Sequence, residues 1–265
     1  MHAADYAIVL IGAGNVGYHL GLRLHEQGVH IAQVFSRTMH KAQALADAIE
    51  AEATDQLSAI RRDANLYILA VHDSAIVEVA TQLTDIQTLV VHTSGATPST
   101  VLADYCTRFG IFYPLQTFSI SRPVDFSQIP ICVHANNPAD LQQLEALARS
   151  LSPLIYRIDD AQRAILHVAA VFVNNFANHL FYIGYDILQQ AHLPFDLLRP
   201  LIQETAAKVQ QQSPAAMQTG PAVRHDQVTI EQHLAYLQKY PDYRLLYEML
   251  TQNIKKEHFT NGEEI

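Results

Sequence analysis

Tyr6-Ala7-Ile8-Val9-Leu10-Ile11-Gly12-Ala13-Gly14-Asn15-Val16-Gly17 is a β-rich apolar run that breaks into glycines at GxGxxG spacing, and a helical pattern from Val16 to Gln27 follows at once. Each glycine answers a different steric demand: the first permits a tight turn, the second lets the backbone approach a pyrophosphate, and the third lets the helix pack closely on the strand. The amides that open the helix then aim at the phosphates. Because the motif sits in a strand, turn and helix of the right length, it predicts a dinucleotide site built from Gly12, Gly14, Asn15, Val16 and Gly17 rather than a purely structural turn.

The following strand, His30 to Phe35, ends in Ser36-Arg37-Thr38. A site for NAD would carry an acidic residue there to bond the ribose 2′-hydroxyl. Arginine instead pairs with a 2′-phosphate through its planar fork, and hydroxyls beside it can donate to and accept from the same group. NADP (NADPH) is therefore the expected cofactor, with Ser36, Arg37 and Thr38 around its extra phosphate. The competing role is a solvated Arg37, with Ser36 or Thr38 capping the next helix.

Outward from this unit, further strands are predicted at 66–71, 88–92, 110–113, 131–134 and 154–158, with helices at 39–51, 74–83 and 138–150. This alternation is the signature of a parallel sheet wrapped by helices. After Asp159 the β-signals vanish, and helices are expected at 161–191, 195–212, 230–239 and 242–256, with Pro194, Pro214, Gly220, Pro221 and Pro241 in the turns. The fold class is α/β, a Rossmann domain over residues 1–158 followed by an all-α domain over 159–265, whose last residues, from about Glu257, are expected to fray.

Composition narrows the function. A net charge of -9 and a pI near 5.8 argue against a nucleic-acid backbone as partner. Cys106 and Cys132 form no CxxC pair, so a disulfide framework or redox motif is not indicated. The fourteen histidines are scattered without HExxH or HxH spacing, and no metal site is expected. The apolar run at 7–11 is too short for a signal-peptide core or a membrane span, which leaves a cytoplasmic protein as the expectation.

Three segments are candidates for chemistry. Val71-His72-Asp73-Ser74 follows a strand end; Asp73 or Ser74 is expected to cap a helix, and His72 to lie over the cofactor. His92-Thr93-Ser94-Gly95-Ala96-Thr97-Pro98 follows the next strand and places hydroxyls and a glycine where nicotinamide and substrate would meet, with Tyr113-Pro114-Leu115-Gln116-Thr117-Phe118 beside it. Within the apolar helix at 161–191, Arg163, His167, Asn174 and Asn178 fall within roughly 60° around the axis at about 100° per residue. A polar stripe on a buried helix is costly unless each group finds a partner, and a ligand cleft supplies partners. His167 is the best proton-transfer candidate, since imidazole titrates near neutrality. Arg224, in the loop Gly220-Pro221-Ala222-Val223-Arg224-His225-Asp226, could meet an anionic substrate, or with Asp226 tie the loop to a helix end.

Together GAGNVG at Gly12, HTSGATP at His92, YPLQTF at Tyr113, RAILHVAAVFVNNFANHL at Arg163 and TGPAVRHD at Thr219 resemble the Rossmann-like proteins with a DUF2520 C-terminal domain. That group is related to F420-dependent NADP reductases, pyrroline-5-carboxylate reductases and β-hydroxyacid dehydrogenases. The resemblance implies a helical domain of the 6-phosphogluconate dehydrogenase C-terminal type that packs into a homodimer. By analogy, Ser94 and Gly95 match a substrate-gripping loop, and His167 stands roughly where β-hydroxyacid dehydrogenases carry a catalytic lysine, which this chain lacks. The expected activity is hydride transfer between NADP(H) and a small carbonyl or imine. His167, Asn174 and Ser94 would be catalytic; Val71, His72 and Thr93 would join the cofactor site, and Gly95, Gln116, Arg163, Asn178 and Arg224 the substrate site. The rival readings are a non-catalytic NADP-binding sensor and an enzyme exchanging hydride with F420. No membrane partner is expected.

Overall fold

Alternating short strands and helices build an eight-stranded sheet in the order β3-β2-β1-β4-β5-β6-β7-β8. A computed structural model describes residues 7–260; Tyr6, expected to begin the first strand, lies outside the described residues. In chain order the elements of the first part are β1 (Ala7–Ile11), α1 (Asn15–Glu26), β2 (His30–Phe35), α2 (Met39–Ala48), β3 (Glu52–Thr54), β4 (Leu66–Leu69), α3 (Ile76–Ala80), β5 (Leu89–His92), β6 (Phe109–Pro114), β7 (Ile131–Ala135), α4 (Pro138–Leu151) and β8 (Ile155–Arg157). Strands β1 to β6 run parallel, so β1, β4, β5 and β6 all end on one edge of the sheet. Their residues are apolar on both faces, as a strand covered on both sides requires: β4 and β5 are buried throughout. Helix α1 buries Leu20 and Leu24 completely in the core that includes Ile8 and Leu10, each such leucine contributing roughly 1.5–3 kcal/mol.

The sheet departs from the expected parallel order at one point. Strand β7 is antiparallel to β6, with Tyr113 opposite Cys132, and β8 then runs parallel to β7. An antiparallel neighbour needs no helical crossover, and between residues 115 and 130 the chain has only a short 3-10 turn, Phe126–Gln128. Strand β3 was not foreseen, being three residues long and half polar. The helix expected at 74–83 is a 3-10 turn, Asp73–Ala75, followed by the five-residue α3. Neither Asp73 nor Ser74 caps it, and Ser74 Oγ instead lies 3.1 Å from His72 Nδ1.

After β8 come α5 (Asp160–Ala170), a π-helical turn (Val171–Phe176), α6 (Ala177–Gln190), α7 (Arg199–Lys208), α8 (Pro214–Met217), α9 (Gln227–Tyr236) and α10 (Pro241–Thr260). Asp159 opens α5 with a reciprocal capping box to Gln162. Pro214, expected in a turn, starts α8, with Ser213 capping. Helix α10 continues through Glu257 to Thr260, where fraying was expected, while residues 261–265 lie outside the described residues.

Packing divides the chain between Asn175 and Phe176. Residue 158 marks where the strands stop, but α5 is bonded into the first unit: Asp160 accepts from Ser99 N–H and Oγ–H at 2.8 and 2.9 Å, and Arg163 donates to the carbonyl of Thr97. In the second unit Asp226 caps α9 through Thr229, and the Tyr243 hydroxyl donates to Asp186 at 3.0 Å, tying α10 to α6. Among its described residues only Ala222, Ile230 and Leu237 are buried apolar side chains.

The segment Asp160–Gln190 is long and apolar enough, by length and composition alone, to cross a membrane. The sequence reading took it as a buried helix with a polar stripe; in the folded chain most of its apolar side chains are exposed, Ile165 at 73% and Val173 at 78%. Only Arg163 of α5 is buried.

Candidate functional site

The cradle begins where β1 ends. Gly12 has φ +120°, and its N–H donates to the carbonyl of Phe35 at 2.8 Å, fixing the turn against the tip of β2. A Cβ on Gly12 would lie 2.2 Å from the Ala70 carbonyl oxygen, and one on Gly17 would lie 1.9 Å from that of Gly12, so both positions require glycine for close backbone approach. Gly14 differs: a Cβ there would meet no protein atom within 4 Å, only open space. The first turn of α1 has no acidic residue and no side-chain cap, leaving its amides and positive end available for an anion.

That space is a cavity of about 570 Å³ along the ends of β1, β2 and β4, lined by Gly12, Gly14, Ser36, Arg37, Thr38 and Lys41 among others. Arg37 and Lys41 are exposed and form no ion pair among the described residues. Thr38 is the N-cap residue of α2, but its side chain makes no capping bond. Lys41 was missed in the sequence, although a cation in the first turn of a helix opposes the dipole and is a sign of a bound anion. Asp55 and Glu78 also line the cavity. A dinucleotide with a 2′-phosphate fits these residues: glycine turn and helix amides for the pyrophosphate, Arg37 and Lys41 for the extra phosphate. Val71 and His72 line the same cavity, whereas Asn15 and Val16 do not, lying beyond the turn in the first residues of α1. Thr93 is buried, its N–H and hydroxyl both turned onto the carbonyl of Leu69.

Between this cavity and β6 runs the loop that follows β5, and nearly every residue in it is wired. His92 is fully buried, with Nδ1 accepting from Ser94 N–H at 3.2 Å and Nε2 donating to the Pro98 carbonyl at 3.3 Å. Burial, helped by the Arg163 charge, pushes the His92 imidazole down to about 4, against the opposing pull of the Pro98 bond, Asp160 and Asp73. Ser94 Oγ accepts from the amides of Ala96 and Thr97. Arg163, expected at the substrate, is only 1% exposed; it pairs with Asp160 at 2.7 Å and reaches Thr97, so it clamps the loop and lines neither cavity. Burial works against the Asp160 carboxylate, but bonds from Ser99 and Arg163 outweigh it and hold its pKa below the ordinary value.

A second cavity of about 520 Å³ lies at the end of β6, lined by Tyr113, Leu115, Gln116, Thr117, His167, Asn174 and apolar residues of α5 and the π turn. Its entire lining belongs to the first unit. Gly95 stands behind it: a Cβ there would lie 2.5 Å from His167 Nδ1 and 2.8 Å from the Tyr113 hydroxyl oxygen. His167 Nδ1 is buried with no hydrogen-bond partner. His167, Asn174, Gln116 and Gly95 thus come together, with Ser94 in the adjoining loop. Asn178 falls after the division of the chain and is exposed on α6, and Arg224 is exposed in the loop before α9.

Residues 7–94 match the family described as NADP oxidoreductase, coenzyme F420-dependent, and residues 129–254 match the domain of unknown function DUF2520. A provisionally named NADP oxidoreductase from Bacteroides fragilis is 42% identical over 96% of this chain and 99% of its own, with a TM-score of 0.90. The chain belongs to this NADP oxidoreductase family. The oxidoreductase also shares its fold with a reductive aminase from Aspergillus terreus, in complex with NADPH and ethyl-5-oxohexanoate (18% identity, 95% and 94% of the two chains, TM-score 0.67). A pyrroline-5-carboxylate reductase from Coxiella burnetii is a further fold relative (16% identity, 97% and 99%, TM-score 0.59). No curated protein sequence matches the oxidoreductase. Its cofactor is NADP, in agreement with the cations at the tip of β2.

Proposed function

We propose that the oxidoreductase transfers a hydride between NADP(H) and a small carbonyl or imine compound bound in the cavity at the end of β6. One observation carries the reading: a buried, unpartnered imidazole nitrogen, His167 Nδ1, stands at a cavity on the sheet edge that holds the dinucleotide cradle. An unpaired buried polar atom loses its hydration without return unless a ligand or a proton restores a bond. NADPH supplies the hydride when bound; the chain supplies everything else. The cradle fixes one end of the sheet edge, the wired loop at 92–99 sets Gly95 against His167 and Tyr113, and Leu115, Leu166 and Val171 exclude water from the reacting atoms. His167 carries the proton, while Asn174 and Gln116 orient the polar end of the substrate. The substrate class is supported by the fold shared with a reductive aminase and a pyrroline-5-carboxylate reductase.

The test is NADPH oxidation over a panel of cyclic imines and of ketones with and without added amine. Turnover that His167→Ala abolishes with NADPH affinity intact supports the reading; unchanged turnover in that variant removes His167 from the mechanism.

We further infer a cytoplasmic homodimer assembled through the helical unit. A unit with three buried apolar side chains among its described residues, and with Leu197, Leu201, Leu245 and Met249 at 53–63% exposure, has little core of its own, and apolar surface on this scale marks an interface. Buried, unpaired Cys106 and Cys132 suit a reducing compartment.

A further inference from the structure

Tyr113 was read from the sequence only as part of a segment beside the cleft, and the proposed function does not use it. Strand β6 ends with its side chain on the second cavity. Gly95, within the loop after β5, is where two side chains converge: the space a Cβ would fill is bounded by His167 Nδ1 at 2.5 Å and by Tyr113 Cζ and Oη, both at 2.8 Å. Any side chain at 95 would force the imidazole and the phenol away. The loop is held in place by His92, Asp160 and Arg163, so the convergence is built into the fold rather than left to a mobile segment.

We propose that Tyr113 is a further catalytic residue, its hydroxyl delivering the proton to the substrate heteroatom, with His167 restoring that proton. The inference rests on the reading of the cavity as a reduction site for a C=N or C=O group. In the step, the π bond of that group breaks. Carbon receives the hydride that NADPH supplies, the nitrogen or oxygen receives the Tyr113 proton, and the substrate is reduced as NADPH is oxidised to NADP⁺. The tyrosinate then takes a proton from His167 in its imidazolium form, and solvent reprotonates His167. Tyr113 and His167 both line the cavity, and the phenol and Nδ1 are both set against Gly95, Nδ1 without a hydrogen-bond partner among the described residues. Burial raises the Tyr113 phenol above its ordinary value, with Cys132 and Asp73 adding to the rise and Arg163 opposing it, so the hydroxyl keeps its proton until a reaction draws it off.

Two measurements test this on the full-length protein. The first needs no substrate: Tyr113 labelled with carbon-13 at Cζ is titrated by NMR in wild type and in His167→Gln. A Tyr113 midpoint that moves in the variant supports the pairing, and one that stays put overturns it whatever the protein reduces. The second uses 2-methyl-1-pyrroline and NADPH. Tyr113→Phe, which keeps the ring, is expected to lower kcat about 100-fold or more, the scale of a lost general acid, with NADPH affinity unchanged by fluorescence titration. Gly95→Ala, which drives the two groups apart, is expected to do the same. Full turnover in Tyr113→Phe overturns the assignment while leaving the reduction reading intact. A wild type that binds NADPH but reduces neither this imine nor any member of the panel overturns both.

Discussion

The guanidinium of Arg163, on α5, donates to the backbone carbonyl of Thr97 in the loop after β5, and its other arm pairs with Asp160 at 2.7 Å. The residue joins the first helix after the sheet to the loop that follows β5, whose Gly95 abuts His167 and Tyr113. Arg163→Met removes both links and leaves Asp160 without its cation. Breaking a buried pair by deleting one partner costs about 3 kcal/mol, so urea unfolding is expected to register a loss of that size. Turnover should fall with it, because the loop that sets Gly95 against His167 and Tyr113 loosens.

Cofactor selectivity follows from the two unpaired cations at the tip of β2 and the start of α2. Arg37→Ala and Lys41→Ala are each expected to weaken NADPH about 10-fold or more, the scale of one charge-assisted contact, and to leave NADH within about 2-fold. Fluorescence titration of both cofactors checks this, and equal losses for the two would refute the phosphate-reading role.

The glycines of the cradle should separate folding from binding. A methyl group on Gly14 would meet only the open cavity, while one on Gly17 would strike the Gly12 carbonyl at 1.9 Å. Gly14→Ala is expected to keep the wild-type Tm and lose NADPH affinity. Gly17→Ala should lose about 2 kcal/mol of stability, the usual scale of overpacking, and affinity besides.

His92 gives the stability a pH signature. The unfolded chain binds a proton on this imidazole near its ordinary 6.5, whereas the folded one does so only at about 4. Its contribution is therefore complete above pH 6.5 and is lost as pH falls toward 4, by up to ~3 kcal/mol. In His92→Gln that slope should vanish, read as the difference between the two unfolding free energies across the window. Asp160, Asp73 and Arg163 are the charged groups around it, and the same slope in both proteins would assign the effect to them.

The helical unit should depend on association. Leu201→Asp with Leu245→Asp places charges on two side chains that are 62% and 60% exposed in the isolated chain. Sedimentation is expected to show a dimer for the wild type and a monomer for the double variant. A monomeric wild type at every concentration would remove the interface.

Much of the dinucleotide half could be read in the sequence, because its signals are local: three glycines at fixed spacing, an apolar strand on either side, and a cation at the second strand tip. What could not be read depended on tertiary neighbours. Strand β3 is a strand only because Gln33 to Phe35 pair with it. The reversal at β7 was not read: the stretch from Tyr113 to Ile131 without a helix does not mark it by itself, since β5 and β6 run parallel with only a 3-10 turn between them. The polar stripe assumed an unbroken winding of about 100° per residue. The π turn at Val171–Phe176 interrupts that winding; His167 and Asn174 share a cavity, and Asn178 belongs to the second unit. Arg163 was assigned to substrate because it lies on that stripe; its partners are Asp160, three residues before it, and the Thr97 carbonyl.

That wide turn also makes the helix editable. A π turn carries one residue more than a regular turn, so losing a single codon inside it would restore ordinary winding while the helix beyond keeps its facing, because the wide turn already absorbs the extra residue. Asn174 and Asn175, which line the cavity from within the turn, would be replaced there by their neighbours, with the dinucleotide cradle untouched. The scaffold thus holds a one-step genetic route to a different lining of the cavity at the end of β6.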